Sequence, residues 1–358
     1  MMKAWVLNDI KDIALIERDI PSPAPSEVLI KVMAAGICGS DIPRIYENGA
    51  HRMPLIPGHE FSGVVAKCGS EADPELINKR VGIFPLIPCK KCVPCRNGHP
   101  EMCRDYDYVG SRRDGAFAEY VTVPASNLIE LPDAVGFGEA AMLEPMAVAV
   151  HAMRMIMDEG EEGPDTEQNI VICGLGPIGL MLLMFLNESG YRNIYVTGNR
   201  DSQKKRAAAF GISEERFCDS RENDVPEWIM KKTGGADVYF ECVGKNECVI
   251  NGIASAAPGG KVLLVGNPYS DMKLSKDIYW KILRNQLTVK GTWNSTFLGT
   301  EDPQREDDDW HYVIKRLEEK RIDPKVLITH EFAIDDLEKG FLMMRDKTSE
   351  HCKVLMKL

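Results

Sequence analysis

The chain of 358 residues is 44% hydrophobic and 27% charged, which excludes a largely disordered protein and leaves room for two domains with sizeable cores. Its formal net charge of −11, with no long basic run, argues against nucleic acid or an anionic membrane as a partner. The longest apolar stretch, Ile178 to Leu186, is too short to span a bilayer, and the charged N-terminus does not resemble a signal peptide, so we expect a cytoplasmic protein.

Residues 1 to about 150 are predicted to be rich in β-strands. EVLIKVMAAGIC and FSGVVAKCGS are short runs with many β-branched residues, and turn sequences such as PSPAPS separate them. This region contains Cys38 in GICGSD, His59 and Glu60 in PGHEFSG, and Glu144 in LEPMAV. Each residue alone would more commonly be structural. Together, a thiolate, an imidazole and a carboxylate can form a three-ligand zinc site with an open position, so their conjunction predicts a catalytic zinc centre.

A dense cysteine cluster lies within residues 89–103. Its members are Cys89, Cys92, Cys95 and Cys103. Because cytoplasmic thiols stay reduced, such a cluster indicates a metal site rather than disulfides. The competing iron–sulfur pattern ends in a three-residue gap and a proline, whereas here the last gap has seven residues and Arg104 follows. Four thiolates close a tetrahedral shell, so we predict a structural zinc lobe.

Strands and helices are predicted to alternate over residues 151–290, which indicates a parallel, doubly wound sheet. The strand NIVIC leads into GLGPIG and then a helix. In this pattern the glycines permit a tight turn, the approach of a pyrophosphate and close helix packing, so the sequence predicts a dinucleotide site. The predicted cofactor-binding residues in these strand ends and turns are Gly174, Gly176, Pro177, Ile178, Gly179, Val243 and Gly266.

The end of the second strand bears on which dinucleotide is used. A carboxylate there would hold the ribose of NAD, but the sequence is Gly198-Asn199-Arg200. The guanidinium of Arg200 suits a 2′-phosphate, which favours NADP over NAD. In the alternative interpretation Arg200 is solvated and Asp201 takes the role of the acid, although Asp201 could equally cap the following helix.

Over nearly its whole length the sequence resembles the zinc-dependent medium-chain dehydrogenases. The resemblance is carried by GICGSD, GHEFSG, the four-cysteine lobe, GAFAEY, LEP and GLGPIG. It implies an α/β protein in which residues 1–150 and 291–358 form a GroES-like catalytic domain and residues 151–290 form a Rossmann domain. It also implies assembly into homodimers or homotetramers.

The resemblance further implies that Cys38, His59 and Glu144 hold the catalytic zinc, with Glu60 beside them as a supporting or exchangeable ligand. The implied reaction is hydride transfer between an alcohol and a nicotinamide cofactor.

Ser40, two residues after Cys38, is placed to pass on the proton of the substrate hydroxyl. Relatives often have a histidine three residues beyond this serine. Here that position is Pro43, which leaves the onward route open, with water as one candidate.

Within the family, polyol and polyol-phosphate dehydrogenases are the most similar, through CGSDIPRIYENGAH and YVGSRRDGAFAEY. We therefore expect a small polyol or polyol phosphate as substrate. Guanidinium groups suit phosphate, although any of these arginines could equally be a salt-bridged surface residue. The candidate substrate contacts are Arg44, Tyr46, Arg112, Arg113, Trp293 and Asn294. The alternatives are a dehydrogenase of unphosphorylated polyols or simple secondary alcohols, and a non-catalytic protein that binds zinc and dinucleotide.

Overall fold

The computed structural model describes residues 1–157, 159–160, 163–299 and 307–358. The chain forms two compact units, Met1–Ala147 with Ser295–Leu358, and Val148–Asn294. No helix of the described ranges has both the length and the apolar character needed to cross a bilayer.

Strands occur in both units of the chain. In chain order the strands are β1 (Met2–Asp9), β2 (Asp12–Arg18), β3 (Glu27–Ile37), β4 (Glu60–Cys68), β5 (Arg80–Ile83), β6 (Leu86–Ile87), β7 (Asp107–Tyr108), β8 (Tyr120–Pro124), β9 (Leu128–Glu130), β10 (Glu159–Gly160), β11 (Gly163–Pro164), β12 (Ile170–Cys173), β13 (Ile194–Gly198), β14 (Phe217–Asp219), β15 (Ala236–Glu241), β16 (Ala256–Leu264), β17 (Thr288–Gly291), β18 (Ile328–Ala333) and β19 (Lys353–Lys357).

Longer helices alternate with the strands of the second unit. In chain order the helices are α1 (Asp41–Pro43), α2 (Val93–Arg96), α3 (Phe137–Ala140), α4 (Leu143–Ile156), α5 (Pro177–Glu188), α6 (Asp201–Ala209), α7 (Val225–Thr233), α8 (Asn246–Ser255), α9 (Lys276–Arg284), α10 (Asp309–Glu318) and α11 (Leu337–Asp346). A π-helical turn, Arg44–Asn48, follows α1 directly.

The first unit is built on a seven-stranded sheet with the order β18-β19-β3-β4-β5-β9, in which β8 also pairs with β3. The strand β3 is antiparallel to both β4 and β19, so Gly36 lies opposite Glu60 on one side and Leu355 on the other. Apolar residues of β1, β3, β4 and α11 pack into one buried core. The register brings the end of β3, the start of β4 and the start of β19 together at one end of the strands, in the middle of the sheet.

The second unit contains a six-stranded sheet with the order β14-β13-β12-β15-β16-β17, and all of its strands are parallel. This confirms the doubly wound α/β architecture expected from the alternating pattern. The first strand, β12, is buried throughout and has β13 on one side and β15 on the other. The strand order therefore reverses at β12, and ligands of such sheets bind beyond the carboxyl ends of the strands at this point.

Candidate metal and cofactor sites

Cys38, His59 and Glu60 meet where β3 ends and β4 begins. One ligand atom from each lies within 4.8 Å of the others. His59 and Glu60 are buried, and the Ser40 hydroxyl donates a hydrogen bond to the Cys38 sulfur at 3.3 Å. A thiolate, an imidazole and a carboxylate at this spacing are a donor set that fits zinc.

The electrostatics of this cluster favour a positive charge. Burial alone would lower the pKa of His59, but the negative charges of Asp41 and Cys38 raise it well above the usual value. In addition, His59 Nδ1 is buried without a hydrogen-bond partner within the described chain. The residues therefore fit a bound cation in both charge and donor type.

Asp41, which the sequence analysis missed, contacts two members of this cluster, Cys38 and His59. It is completely buried, and its Oδ2 accepts the backbone N–H of Cys38 at 3.0 Å. Its Oδ1 accepts a hydrogen bond from Arg44 and lies 3.6 Å from His59 Nδ1. Partners of this kind orient metal ligands. The signal was present in GICGSD, but an acid in a turn is more commonly a helix cap.

Lys353 is a second residue that the sequence analysis missed. It begins β19, is only 2% exposed, and its Nζ donates to Glu60 Oε2. Gly36 makes room for this pair, because a Cβ there would collide with Glu60 Oε2 and Lys353 Cε. The carboxylate of Glu60 is thus held between Lys353 and the Cys38–His59 pair.

Glu144 lies outside this group of three, near the start of α4. Its Oε1 accepts a hydrogen bond from the Tyr108 hydroxyl at 3.1 Å, and the Tyr108 ring packs edge-on against His59 with centroids 5.9 Å apart. Burial raises the pKa of Glu144 to about 7. Its assignment as a zinc ligand stays a prediction, since the carboxylate grouped most closely with Cys38 and His59 is that of Glu60.

The four cysteines of the predicted lobe converge as well. Their sulfurs lie within 4.8 Å of one another, with Cys92 Sγ 3.4 Å from Cys95 Sγ and 3.9 Å from Cys103 Sγ. Backbone N–H groups of Cys89 and Cys92 donate to the sulfurs of Cys103 and Cys89. Tetrahedral zinc with bonds of about 2.3 Å places its sulfurs about 3.8 Å apart, so the cluster fits a structural zinc ion.

The glycine turn between β12 and α5 forms the cofactor candidate in the second unit. Gly174 has a φ of +95°, and a Cβ on Gly179 would collide with the carbonyl oxygen of Gly174. At Gly176, by contrast, a Cβ would meet no atom within 4 Å. The helix α5 begins at Pro177, so its free N–H groups and open backbone suit the approach of a pyrophosphate.

Glu241, also missed by the sequence analysis, ties together the loops that contain Val243 and Gly266. Its carboxylate accepts the N–H groups of Val243 and Gly244, each at 2.8 Å, and its carbonyl accepts the N–H of Gly266 at 2.9 Å. The Val243 side chain would meet a Cβ placed on Gly174. Both loops therefore border the glycine turn.

The turn Gly198-Asn199-Arg200 lies at the carboxyl end of β13. Arg200 is exposed and forms no ion pair with the described residues. Asp201, the alternative acid, is ion-paired with Arg221 at 2.6 Å.

Two of the arginine candidates for substrate binding are paired with acids. Arg44 pairs with Asp41, and Arg113 donates to Glu27 Oε1 at 2.6 Å. Glu27 is the first residue of β3, whereas Cys38 follows the last one, and strand residues rise about 3.3 Å each. The pairing therefore does not bring the Arg113 guanidinium to the metal cluster.

Arg112 has different surroundings. Its guanidinium stacks over the Tyr106 ring at 4.3 Å, and it forms no ion pair within the described ranges. Its Nε is buried, and none of the described residues forms a hydrogen bond with it. Tyr106 in turn packs against Tyr108, with ring centroids 6.3 Å apart, so Arg112 is connected through two rings to His59.

The remaining substrate candidates are not brought together. Tyr46 is buried in the core of the first unit, below the guanidinium of Arg345. Trp293 is exposed and ends the second unit with Asn294, whose Nδ2 is buried without a described partner. Their substrate contacts stay predictions.

Comparison with known proteins places this geometry in context. Residues 24–133 match the family "Alcohol dehydrogenase GroES-like domain" and residues 177–319 match "Zinc-binding dehydrogenase". The chain is 33% identical over 332 residues to galactitol 1-phosphate 5-dehydrogenase of Escherichia coli K12, covering 91% of both chains. It is 31% identical over 351 residues to L-idonate 5-dehydrogenase of Vitis vinifera, covering 95% of this chain and 90% of the relative. A solved protein named as a zinc-binding dehydrogenase, from Sinorhizobium meliloti 1021 and bound to NADP, has a TM-score of 0.87 at 25% identity, covering 100% of this chain and 99% of the other.

The buried pair of Glu60 and Lys353 generates a testable prediction. Replacing Lys353 with Met leaves a buried carboxylate uncompensated, which costs about 3–5 kcal/mol of unfolding free energy in metal-free protein. Zinc should restore part of this loss, because Glu60 belongs to the candidate ligand group. Denaturant unfolding with and without zinc measures both effects.

Lys79→Met serves as the control for this variant, since it breaks the exposed pair with Glu130 and should change the unfolding midpoint far less. Equal losses in the two variants, or a loss in Lys353→Met that zinc leaves unchanged, would count against the arrangement.

Proposed function

Because the chain belongs to the zinc-dependent medium-chain alcohol dehydrogenase family, we propose that it transfers a hydride from a secondary alcohol of a polyol or polyol phosphate to NADP. Membership in this family makes the chain an NAD(P)-dependent oxidoreductase and argues against the alternative of a non-catalytic protein that binds zinc and dinucleotide. The observation that carries the proposal is the convergence of Cys38, His59 and Glu60 on one small volume. The products are a ketone, reduced cofactor and a proton.

Residues of the first unit would bind the metal and position its ligands beside the alcohol of the substrate. Zinc, when bound, supplies Lewis acidity that makes the substrate hydroxyl acidic near neutral pH. Cys38 and His59, with Glu60 or Glu144, would hold the ion. Asp41 holds the backbone of Cys38 by a hydrogen bond and places its other carboxylate oxygen 3.6 Å from His59 Nδ1, so its charge acts on the imidazole.

Ser40 is the proposed proton relay: its hydroxyl accepts the proton of the substrate hydroxyl while its own proton passes to water. It lies within hydrogen-bond distance of Cys38 and is partly exposed, so its hydroxyl can exchange protons with water. Pro43 offers no titratable group at the place where relatives often have a histidine. We therefore propose that the proton leaves Ser40 through solvent.

Arg112 supports a substrate with an anionic group, such as galactitol 1-phosphate. The named relatives act on galactitol 1-phosphate and L-idonate, and both compounds carry an anion. Arg44 and Arg113 have their charges compensated by Asp41 and Glu27, whereas Arg112 retains its charge and a buried, unpaired Nε. An unphosphorylated polyol or a simple secondary alcohol is the second candidate, in which case Arg112 only supports Tyr106.

NADP is the proposed cofactor. Arg200 is exposed and has no ion pair with the residues that the structure describes, and Asp201 has its carboxylate engaged by Arg221. The S. meliloti relative was solved with NADP. NAD is the alternative.

We also propose that the chain forms homodimers or homotetramers through the exposed edge strand β17 and helix α9 of the second unit. The edge strand β17 is exposed along its whole length, and Tyr279, Trp280 and Leu283 of α9 are exposed as well. Unpaired edges and large apolar patches mark association surfaces. Sedimentation should give a multiple of the monomer mass, and Val289→Lys should lower the mass that is measured. A monomeric wild type would contradict this proposal.

The cytoplasmic location stays a prediction.

A substrate screen tests the function. Galactitol 1-phosphate, galactitol, sorbitol and a simple secondary alcohol would be assayed with NADP and with NAD, before and after removal of metal by a chelator. We expect the highest kcat/KM for the phosphorylated polyol with NADP, and loss of activity after chelation that zinc restores. Activity that survives complete removal of metal would contradict the zinc-dependent mechanism.

The same screen applied to Arg112→Ala tests the phosphate contact. A lost charged hydrogen bond should raise KM for galactitol 1-phosphate about ten- to a hundredfold and leave KM for galactitol unchanged. Arg113→Ala is the matched control and should leave the ratio of the two KM values as in wild type. Parallel changes for both substrates in Arg112→Ala would assign this residue a structural role only.

A further inference from the structure

Tyr108 contacts the candidate metal centre from β7, a strand that supplies none of the predicted ligands. It is the last residue of this strand and pairs with Leu86 of β6. Its backbone carbonyl accepts hydrogen bonds from the turn that follows, from the N–H groups of Ser111, Arg112 and Arg113 at 3.2, 2.9 and 3.2 Å. The strand pairing and this turn together fix the backbone from which the tyrosine side chain extends.

The side chain of Tyr108 contacts two of the predicted zinc ligands. Its ring packs edge-on against His59, with centroids 5.9 Å apart, and its hydroxyl donates a hydrogen bond to Glu144 Oε1 at 3.1 Å. Burial, together with the negative charges of Glu144, Cys38 and Glu60, raises the pKa of this hydroxyl well above its usual value. The hydroxyl therefore keeps its proton and acts as the donor.

The hydrogen bond from Tyr108 is the one contact that restrains the Glu144 carboxylate among the residues that the structure describes. It engages Oε1, and no described residue donates to Oε2. Glu60 has different surroundings, because Lys353 compensates its charge. Tyr108 is a neutral donor, so it fixes the position of Glu144 without compensating a negative charge there.

We propose that Tyr108 is the positioning residue for Glu144, and that its hydroxyl holds Oε1 so that Oε2 is the oxygen available to a metal ion. The inference rests on the proposed function, since it concerns the same zinc centre. Hydrogen-bond partners of metal-binding carboxylates orient them, and loss of such a partner commonly weakens metal binding about ten- to a hundredfold. If the tyrosine instead only fills space beside His59, its ring alone would suffice.

Tyr108→Phe separates these two roles, because it removes the hydroxyl and keeps the ring. The enzyme would be loaded with cobalt and titrated with a chelator, since thiolate-to-cobalt absorption distinguishes a site with one cysteine from the four-cysteine lobe. We expect the affinity of the Cys38 site to fall about ten- to a hundredfold and its visible spectrum to change. The lobe should release its ion as in wild type, which also shows that the variant is folded.

Two further variants serve as controls. Tyr106→Phe removes a hydroxyl from the neighbouring ring, 6.3 Å away between centroids, and should leave both affinities unchanged. Glu144→Ala should weaken cobalt binding at the Cys38 site by itself. Because Tyr108 is proposed to act through Glu144, adding Tyr108→Phe to Glu144→Ala should cause no further loss.

Unchanged or tighter cobalt binding at the Cys38 site of Tyr108→Phe would overturn the inference. A Glu144→Ala variant that binds cobalt as tightly as wild type would do the same, and so would a further tenfold loss in the double variant. These outcomes leave the dehydrogenase function intact. A wild type that binds no cobalt beside Cys38 would contradict the proposed function itself.

Discussion

A cluster of buried charges at the end of β3 is the constraint on which the rest of the first unit depends. Acidic and cationic side chains are packed together there, and burial makes each charge costly unless a neighbouring group compensates it. Asp41 is paired with Arg44 and Glu60 with Lys353, while Cys38 and His59 lie beside these pairs. The donor types of Cys38, His59 and Glu60 suit a divalent cation at this place.

The strand register sets this cluster. Because β3 pairs with β4 on one side and with β19 on the other, Cys38, His59 and Lys353 lie close to the same end of these strands. The strand that contains Lys353 comes from the C-terminal part of the chain. Gly36, between the two neighbours, leaves the space in which Glu60 and Lys353 meet. The arrangement of the cluster therefore depends on the pairing of β3 with its two neighbouring strands.

The sequence predicted the features that short segments encode. The glycine turn at Gly174 and the cysteines from Cys89 to Cys103 are local patterns, and each converges in the structure as its spacing indicates. Lys353 could not be found in this way, because it lies 293 residues from its partner Glu60 and occurs in an unremarkable C-terminal strand.

Arg113 shows that the sequence can also suggest a binding residue whose charge is already paired in the structure. Its position beside Arg112 gave both residues the same claim to an anionic substrate, but Glu27, 86 residues earlier in the chain, takes its charge. Only the three-dimensional partners separate an available guanidinium from one that is already paired.

Anomalous diffraction at the zinc edge from crystals of active enzyme tests the central claim most directly. The account predicts one peak within bonding distance of Cys38 Sγ and a nitrogen of His59, and a second peak inside the four-cysteine lobe. Fully active crystals with no peak beside Cys38 would contradict it.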